Sequence, residues 1–232
     1  DLNSLYRAFF WRNALTSRYD QGFLTQTGND IRSLRTVLEE RAKYSSGSQW
    51  ANYAQRKIEE LTGPRFPSAD ELVDLLTDGK PGGAMQKALY LFLYTKPEKD
   101  LLDPRLFLEY PDGAPAELHH IFPSNWCKNN KYGELRAVLD KEEAGRDYVN
   151  CVANLMLLSR ESNNKWRARI PGQALQESDI SYDSMRDVWN DLFINQLLYN
   201  YLREGGASVK EFLDGRAKLL SEKLVDLSRV KM

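Results

Sequence analysis

The chain has 232 residues, 42% hydrophobic and 28% charged, the balance of a globular protein of one large domain or two small ones. Its 32 basic and 33 acidic side chains leave a net charge of −1, so no global basic field marks a polyanionic partner. No run approaches the roughly 18 apolar residues of a membrane span. The apolar stretch 5–11 is broken by Arg7 and is not a signal peptide. Cys127 and Cys151, the two cysteines, fit neither a disulfide framework nor a tetrathiolate zinc site, and read as packing residues. A reducing cytoplasm is the expected compartment. The chain opens at Asp1 rather than at Met and enters a helical pattern at once, which reads as a fragment of something longer.

Leu2, Leu5, Tyr6, Phe9 and Phe10 recur at helical spacing, with Asn3 or Ser4 available as the cap. Asn29-Asp30 precedes a second helix carrying Ile31, Leu34, Val37 and Leu38. A third places Trp50, Tyr53, Ala54, Ile58 and Leu61 on one face and stops before Gly63-Pro64. Ser68-Ala69-Asp70-Glu71 is a capping box leading into Leu72, Val73, Leu75 and Leu76. Gly82-Gly83 then separates it from a very apolar helix over 84–94. The aromatic residues of this region read as bundle core.

The middle of the chain differs. Residues 106–109, 118–122 and 152–158 are short apolar runs, better read as strands than helices. Beyond Ser178 the helical pattern returns with Val188, Trp189, Leu192 and Phe193, and Ser208 caps a long final helix through Leu224. The expected fold is mainly α with a small α+β insert. It divides into a helical body over 1–104, a mixed core over 105–176, and C-terminal helices over 177–232 packing on the body.

The chain has two histidines, His119 and His120, and they are adjacent. Neighbours on a strand point to opposite faces, so the pair divides its roles: one is suited to hold a metal and the other to face a substrate, unless both simply end a strand. After a second strand introduced by Asn154, the segment 160–169 holds four basic residues (Arg160, Lys165, Arg167, Arg169) and one acid. Asn163 or Asn164 is expected to start a helix there as its cap.

His119-His120-x-x-Pro123, then Asn154, then Asn163 resembles the HNH, or ββα-metal, nuclease motif. Leu118-His119-His120-Ile121-Phe122-Pro123-Ser124 and Ala153-Asn154-Leu155-Met156-Leu157-Leu158-Ser159 are similar to the C-terminal HNH domain that follows ParB-like domains in GmrSD-type restriction enzymes. Two flanks agree, the run from Phe10 to Tyr19 and Phe212-Leu213-x-x-Arg216-x-x-Leu219, so the resemblance spans essentially the whole chain.

The resemblance implies a helical body carrying a ββα-metal motif and a metal-dependent endonuclease that nicks or cleaves DNA in a restriction or anti-phage system. It implies His120 as general base and Asn154 as the residue that ties the loop and orients it. His119 and Asn163 fall on the metal positions, with Asn164 the competitor for Asn163. The divalent metal is expected to be Mg²⁺ or Mn²⁺; many relatives carry an acid where His119 stands, and the softer imidazole in its place keeps Ni²⁺ and Zn²⁺ as alternatives. Lys165, Arg167 and Arg169 are the expected DNA phosphate contacts, against the alternative of a solvated helix face. A ParB-like nucleotide-hydrolysing or sensing domain ahead of Asp1 is the expected partner, with DNA the substrate and no membrane. The rival readings are a catalytically silent DNA-sensing or docking module and an RNA-directed nuclease.

Overall fold

A computed structural model describes residues 1–20, 23–63, 65–108, 115–167 and 169–231. These form two compact units: residues 1–71, 82–88 and 221–232, and residues 72–81 and 89–220. The protein is mainly helical, with one small antiparallel sheet among the described residues.

In the first unit α1 (Leu2–Leu15), α2 (Phe23–Glu39) and α3 (Gly47–Thr62) share a core of Leu5, Phe9, Leu34, Val37, Trp50, Ala54 and Ile58. Trp50 has no solvent exposure, and its Nε1 donates to the Val37 carbonyl at 3.1 Å, so its one polar atom is satisfied inside the apolar cluster. Asp1 rather than Asn3 or Ser4 precedes α1, because the Asp1 carbonyl already accepts from Leu5 N at 3.0 Å. Asn29-Asp30 lies inside α2 rather than before it. Asp30 is buried there and accepts hydrogen bonds from Arg18 and, at 2.6 Å, from the Tyr19 hydroxyl, so its carboxylate anchors a tertiary contact. Tyr6, Phe10 and Ile31 are 38%, 44% and 52% exposed, so the apolar stripe is wider than the face the unit covers.

α4 (Ala69–Thr77) begins with the expected capping box: Glu71 N donates to Ser68 Oγ at 3.2 Å and Ser68 N to the Glu71 carboxylate at 2.9 Å. α5 (Gly83–Tyr94) follows.

The second unit holds β1 (Ala116–His120), α6 (Ser124–Asn129), α7 (Arg136–Leu139), α8 (Lys141–Ala144), β2 (Leu155–Ser159) and α9 (Arg160–Trp166). Then come α10 (Pro171–Glu177), α11 (Arg186–Asp191), α12 (Gln196–Glu204) and α13 (Val209–Leu227), the last extending past residue 220. β1 and β2 pair antiparallel in the register His119↔Met156 and His120↔Leu155, and every residue of β2 is buried. Both strands differ from the sequence boundaries. Ile121 and Phe122 leave the ladder after His120, and residues 152–154 form a 3₁₀ turn rather than the start of a strand. Of the expected strand over 106–109, an isolated bridge between Lys99 and Phe107 is present, and residue 109 lies outside the described residues.

α9 starts three residues before Asn163, because Ser159 is its cap: Ser159 Oγ accepts from Ser162 N at 3.2 Å. Asn163 and Asn164 are therefore helix-interior residues. Buried Asp100 fixes this strand-to-helix corner. Its carboxylate accepts from Ser159 N at 2.7 Å and from the Ser162 hydroxyl, and also from Leu102 N and Asp103 N.

Candidate histidine–asparagine cleft

The strand-to-helix geometry gathers His119, His120, Pro123, Ser124, Asn125, Asn163, Asn164, Trp166, Arg167 and Arg169 around a cleft of about 510 Å³ in the second unit. His119 and His120, the last two residues of β1, both line the cleft, and their side chains have different neighbours.

His119 Nε2 lies 3.8 Å from a Glu117 carboxylate oxygen, and the two side chains share one face of the strand. His120 has Lys80 and the Asn150–Asp147 pair as its polar neighbours. Asn150 Nδ2 donates to both Asp147 carboxylate oxygens, at 3.2 and 2.9 Å. Gly79, next to Lys80, donates its N–H to the Asp147 carbonyl at 3.0 Å, which keeps that loop against the His120 side of the unit.

Burial holds both histidines below the usual imidazole range, a shift that Lys80 reinforces at His120 and that Glu117 opposes at His119. Both rings are accordingly neutral at neutral pH. The Nε2 atom of each is buried and has no hydrogen-bond partner among the described residues. Orphaned buried nitrogens of this kind are costly unless something else uses them, and a neutral imidazole nitrogen can ligate a metal or accept a proton.

Asn154 is fully buried behind the cleft. Its Oδ1 accepts from Phe122 N at 2.9 Å, and its Nδ2 donates to Phe122 O at 3.2 Å and to Val149 O at 2.8 Å. Its own carbonyl accepts from Ile121 N at 2.8 Å, while the Ile121 carbonyl accepts from Trp166 Nε1 at 2.9 Å. The two residues after His120 are thus held from both sides. Arg216 secures the other end of this arrangement. It has no solvent exposure, and its Nη1 donates to Ala153 O and Leu155 O, each at 2.7 Å, the two carbonyls flanking Asn154. Its Nε donates to Leu192 O at 2.9 Å, and burial lowers its pKa to about 9, which still leaves it charged at neutral pH.

Among the basic residues, Arg167 and Arg169 line the cleft while Lys165 is exposed outside it. Arg169 is ion-paired with Glu177. Cys127 and Cys151 are buried, each Sγ facing a backbone carbonyl, and burial pushes both thiols up to about 12. Neither is among the residues that line the cleft, and both pack in the interior.

Sequence reasoning missed the roles of four participants, of which only Arg216 enters it, as part of a matching flank. Asp100 lies about 60 residues before the corner it ties, and no local pattern announces it. Asn150 and Arg216 likewise act through tertiary contacts. Glu117 is different: it stands two positions before His119, and the period of a strand places it on the same face.

The second unit thus brings imidazole, amide and guanidinium groups into one cleft, side chains whose N–H groups can hydrogen-bond an anionic group. Residues 20–201, a span that contains the entire cleft, match the family of GmrSD restriction endonucleases, C-terminal domain. The chain belongs to this family, a nuclease domain of the restriction-endonuclease type, whose enzymes act on DNA. No curated protein and no solved structure matches it significantly. No helix among the described residues is long and apolar enough to cross a membrane.

Proposed function

We propose that the chain is an HNH-type, metal-dependent endonuclease domain that hydrolyses one phosphodiester of DNA at the histidine–asparagine cleft. The observation that carries this reading is the pair of neutral imidazoles with unpartnered Nε2 atoms, lining one cleft with Asn163 and two arginines. The donor set fits a divalent cation: a neutral imidazole from His119 and an amide oxygen from Asn163, with no thiolate in the cleft. When bound, such a cation supplies charge stabilisation to the phosphate and its departing oxygen.

The remaining chemistry belongs to the chain's own residues. His120, uncharged at neutral pH, takes a proton from water as the oxygen of that water forms a bond to phosphorus. The bond from phosphorus to the 3′ oxygen breaks, and the leaving oxygen receives a proton from solvent, giving a 5′-phosphate and a 3′-hydroxyl. Asn154 keeps the segment after His120 in place, so the ring meets the water in one orientation. Arg167, with Arg169 in a weaker role because of Glu177, contacts phosphate without reading base identity. Each cleft attacks one bond, so a monomer nicks and a double-strand break needs two copies.

In this reading the domain is the effector of a cytoplasmic defence enzyme directed at foreign or modified DNA. Its ParB-like partner domain supplies recognition, since a chain of net charge −1 offers little surface for broad phosphate contact. Incubation with supercoiled plasmid, with and without Mg²⁺ or Mn²⁺, tests the reading: metal-dependent relaxed circles are expected, and intact plasmid under every condition overturns it.

A further inference from the structure

The spacing between Glu117 and His119 places a second, oxygen-bearing donor beside the imidazole assigned to the metal. Their facing atoms are 3.8 Å apart, too far for a hydrogen bond. Metal–nitrogen and metal–oxygen bonds of about 2.1 Å put two adjacent donors on an octahedral ion of the Mg²⁺ or Mn²⁺ type about 3.0 Å from each other. Rotation of the exposed Glu117 side chain can close the difference from the observed separation. His119 Nε2 is shielded from solvent and unpartnered, whereas the Glu117 side chain is 76% exposed and makes no hydrogen bond among the described residues. Nothing in the local structure therefore restrains the carboxylate from turning to meet an ion at His119.

We propose that Glu117 is a direct ligand of the divalent cation, paired with His119 across the i, i+2 spacing of β1, and that it sets the metal preference of the site. This rests on the metal-dependent reading above. His119 and Asn163 alone offer one imidazole and one neutral oxygen, a set without charge and without strong preference for a hard ion. An anionic oxygen changes that, because carboxylates suit Mg²⁺ and Mn²⁺ while imidazole suits Ni²⁺ and Zn²⁺. With Glu117 added, a site with histidine at its ligand position is suited to the hard cations of phosphate chemistry.

Titration calorimetry with MnCl₂ and, separately, NiCl₂ tests the assignment on the whole chain, comparing wild type with Glu117→Gln and His119→Ala. Glu117→Gln alters an exposed side chain, so its thermal midpoint without metal should match wild type. The expected result is a loss of Mn²⁺ affinity of about tenfold or more, at least the effect of disturbing an outer-shell partner, with a clearly smaller loss for Ni²⁺. Plasmid nicking by this variant should recover as Mn²⁺ is raised. Unchanged Mn²⁺ affinity overturns the proposal, and so does an equal loss for both ions, which would mean a field effect and not a bond. If His119→Ala loses affinity while Glu117→Gln does not, the Glu117 assignment alone falls. If wild type binds neither ion, the metal-dependent reading falls with it.

Discussion

The side chain of Asn154 pairs with the backbone of Phe122 as a neighbouring strand would. Oδ1 accepts from Phe122 N at 2.9 Å and Nδ2 donates to Phe122 O at 3.2 Å, so one amide closes a bridge 32 residues long. Removing it leaves buried backbone groups without partners, each at about 1–3 kcal/mol. Asn154→Ala should therefore lower unfolding stability by roughly 2–4 kcal/mol in a denaturant titration. Asn154→Asp should do no better, because a carboxylate cannot donate to Phe122 O or Val149 O. A loss below about 0.5 kcal/mol in both variants would refute the bridging role.

His120→Ala should reduce metal-dependent nicking by at least about 10²-fold while leaving Mn²⁺ binding close to wild type, as expected when a general base is removed. Single-turnover nicking measured beside calorimetry separates the two effects. Near-normal nicking in this variant would sink the assignment of the base.

Arg167→Ala should weaken DNA binding about equally for all sequences and flatten its salt dependence by about one unit of slope, as loss of one phosphate contact requires. Arg169→Ala should do less, because that guanidinium already pairs with Glu177. Fluorescence anisotropy across a salt series reads both slopes. Unchanged slopes in both variants would mark a solvated helix face.

Stability should depend on pH through the histidines. Burial holds both below the ordinary imidazole value of 6.5 in the folded state, so the unfolded chain binds protons more readily. Stability is then complete above about pH 6.5 and is lost as the pH falls from that value toward the folded-state pKa values. The chain has no other histidine, so between pH 7.5 and 5.5 the thermal midpoint should fall in wild type. A His119→Gln, His120→Gln double variant should be nearly flat over that window, and an equal slope in both proteins would contradict the argument.

Arg216 should tolerate little. Arg216→Met removes a buried cation but abandons the Ala153, Leu155 and Leu192 carbonyls, and it frees the turn that presents Asn154. A stability loss of about 3 kcal/mol or more is expected from several unpaired buried carbonyls. Thermal denaturation by circular dichroism measures it, and a midpoint at or above wild type would show that packing outweighs those bonds.

Local order was the part of this protein legible in its residues. Helical spacing announced α1, α3 and α4, the capping box at Ser68 forms as its pattern requires, and the alternation of strand faces puts Glu117 beside His119. Three helix starts escaped that reading. Asp1 rather than Asn3 or Ser4 precedes α1, Ser159 caps α9 ahead of the candidate Asn163, and Asp30 spends its carboxylate on Arg18 and Tyr19 inside α2. The last two outcomes turn on which group meets a free N–H or cation once the chain is compact. The cleft itself is a tertiary product. Asp100 grips the start of α9 from 59 residues away and Arg216 holds the carbonyls on either side of Asn154 from about 60 residues further on. A sequence pattern records the residues that local geometry needs. It carries no trace of a buried carboxylate or guanidinium that satisfies distant backbone groups, because that requirement arises only when folding removes the water that would otherwise satisfy them.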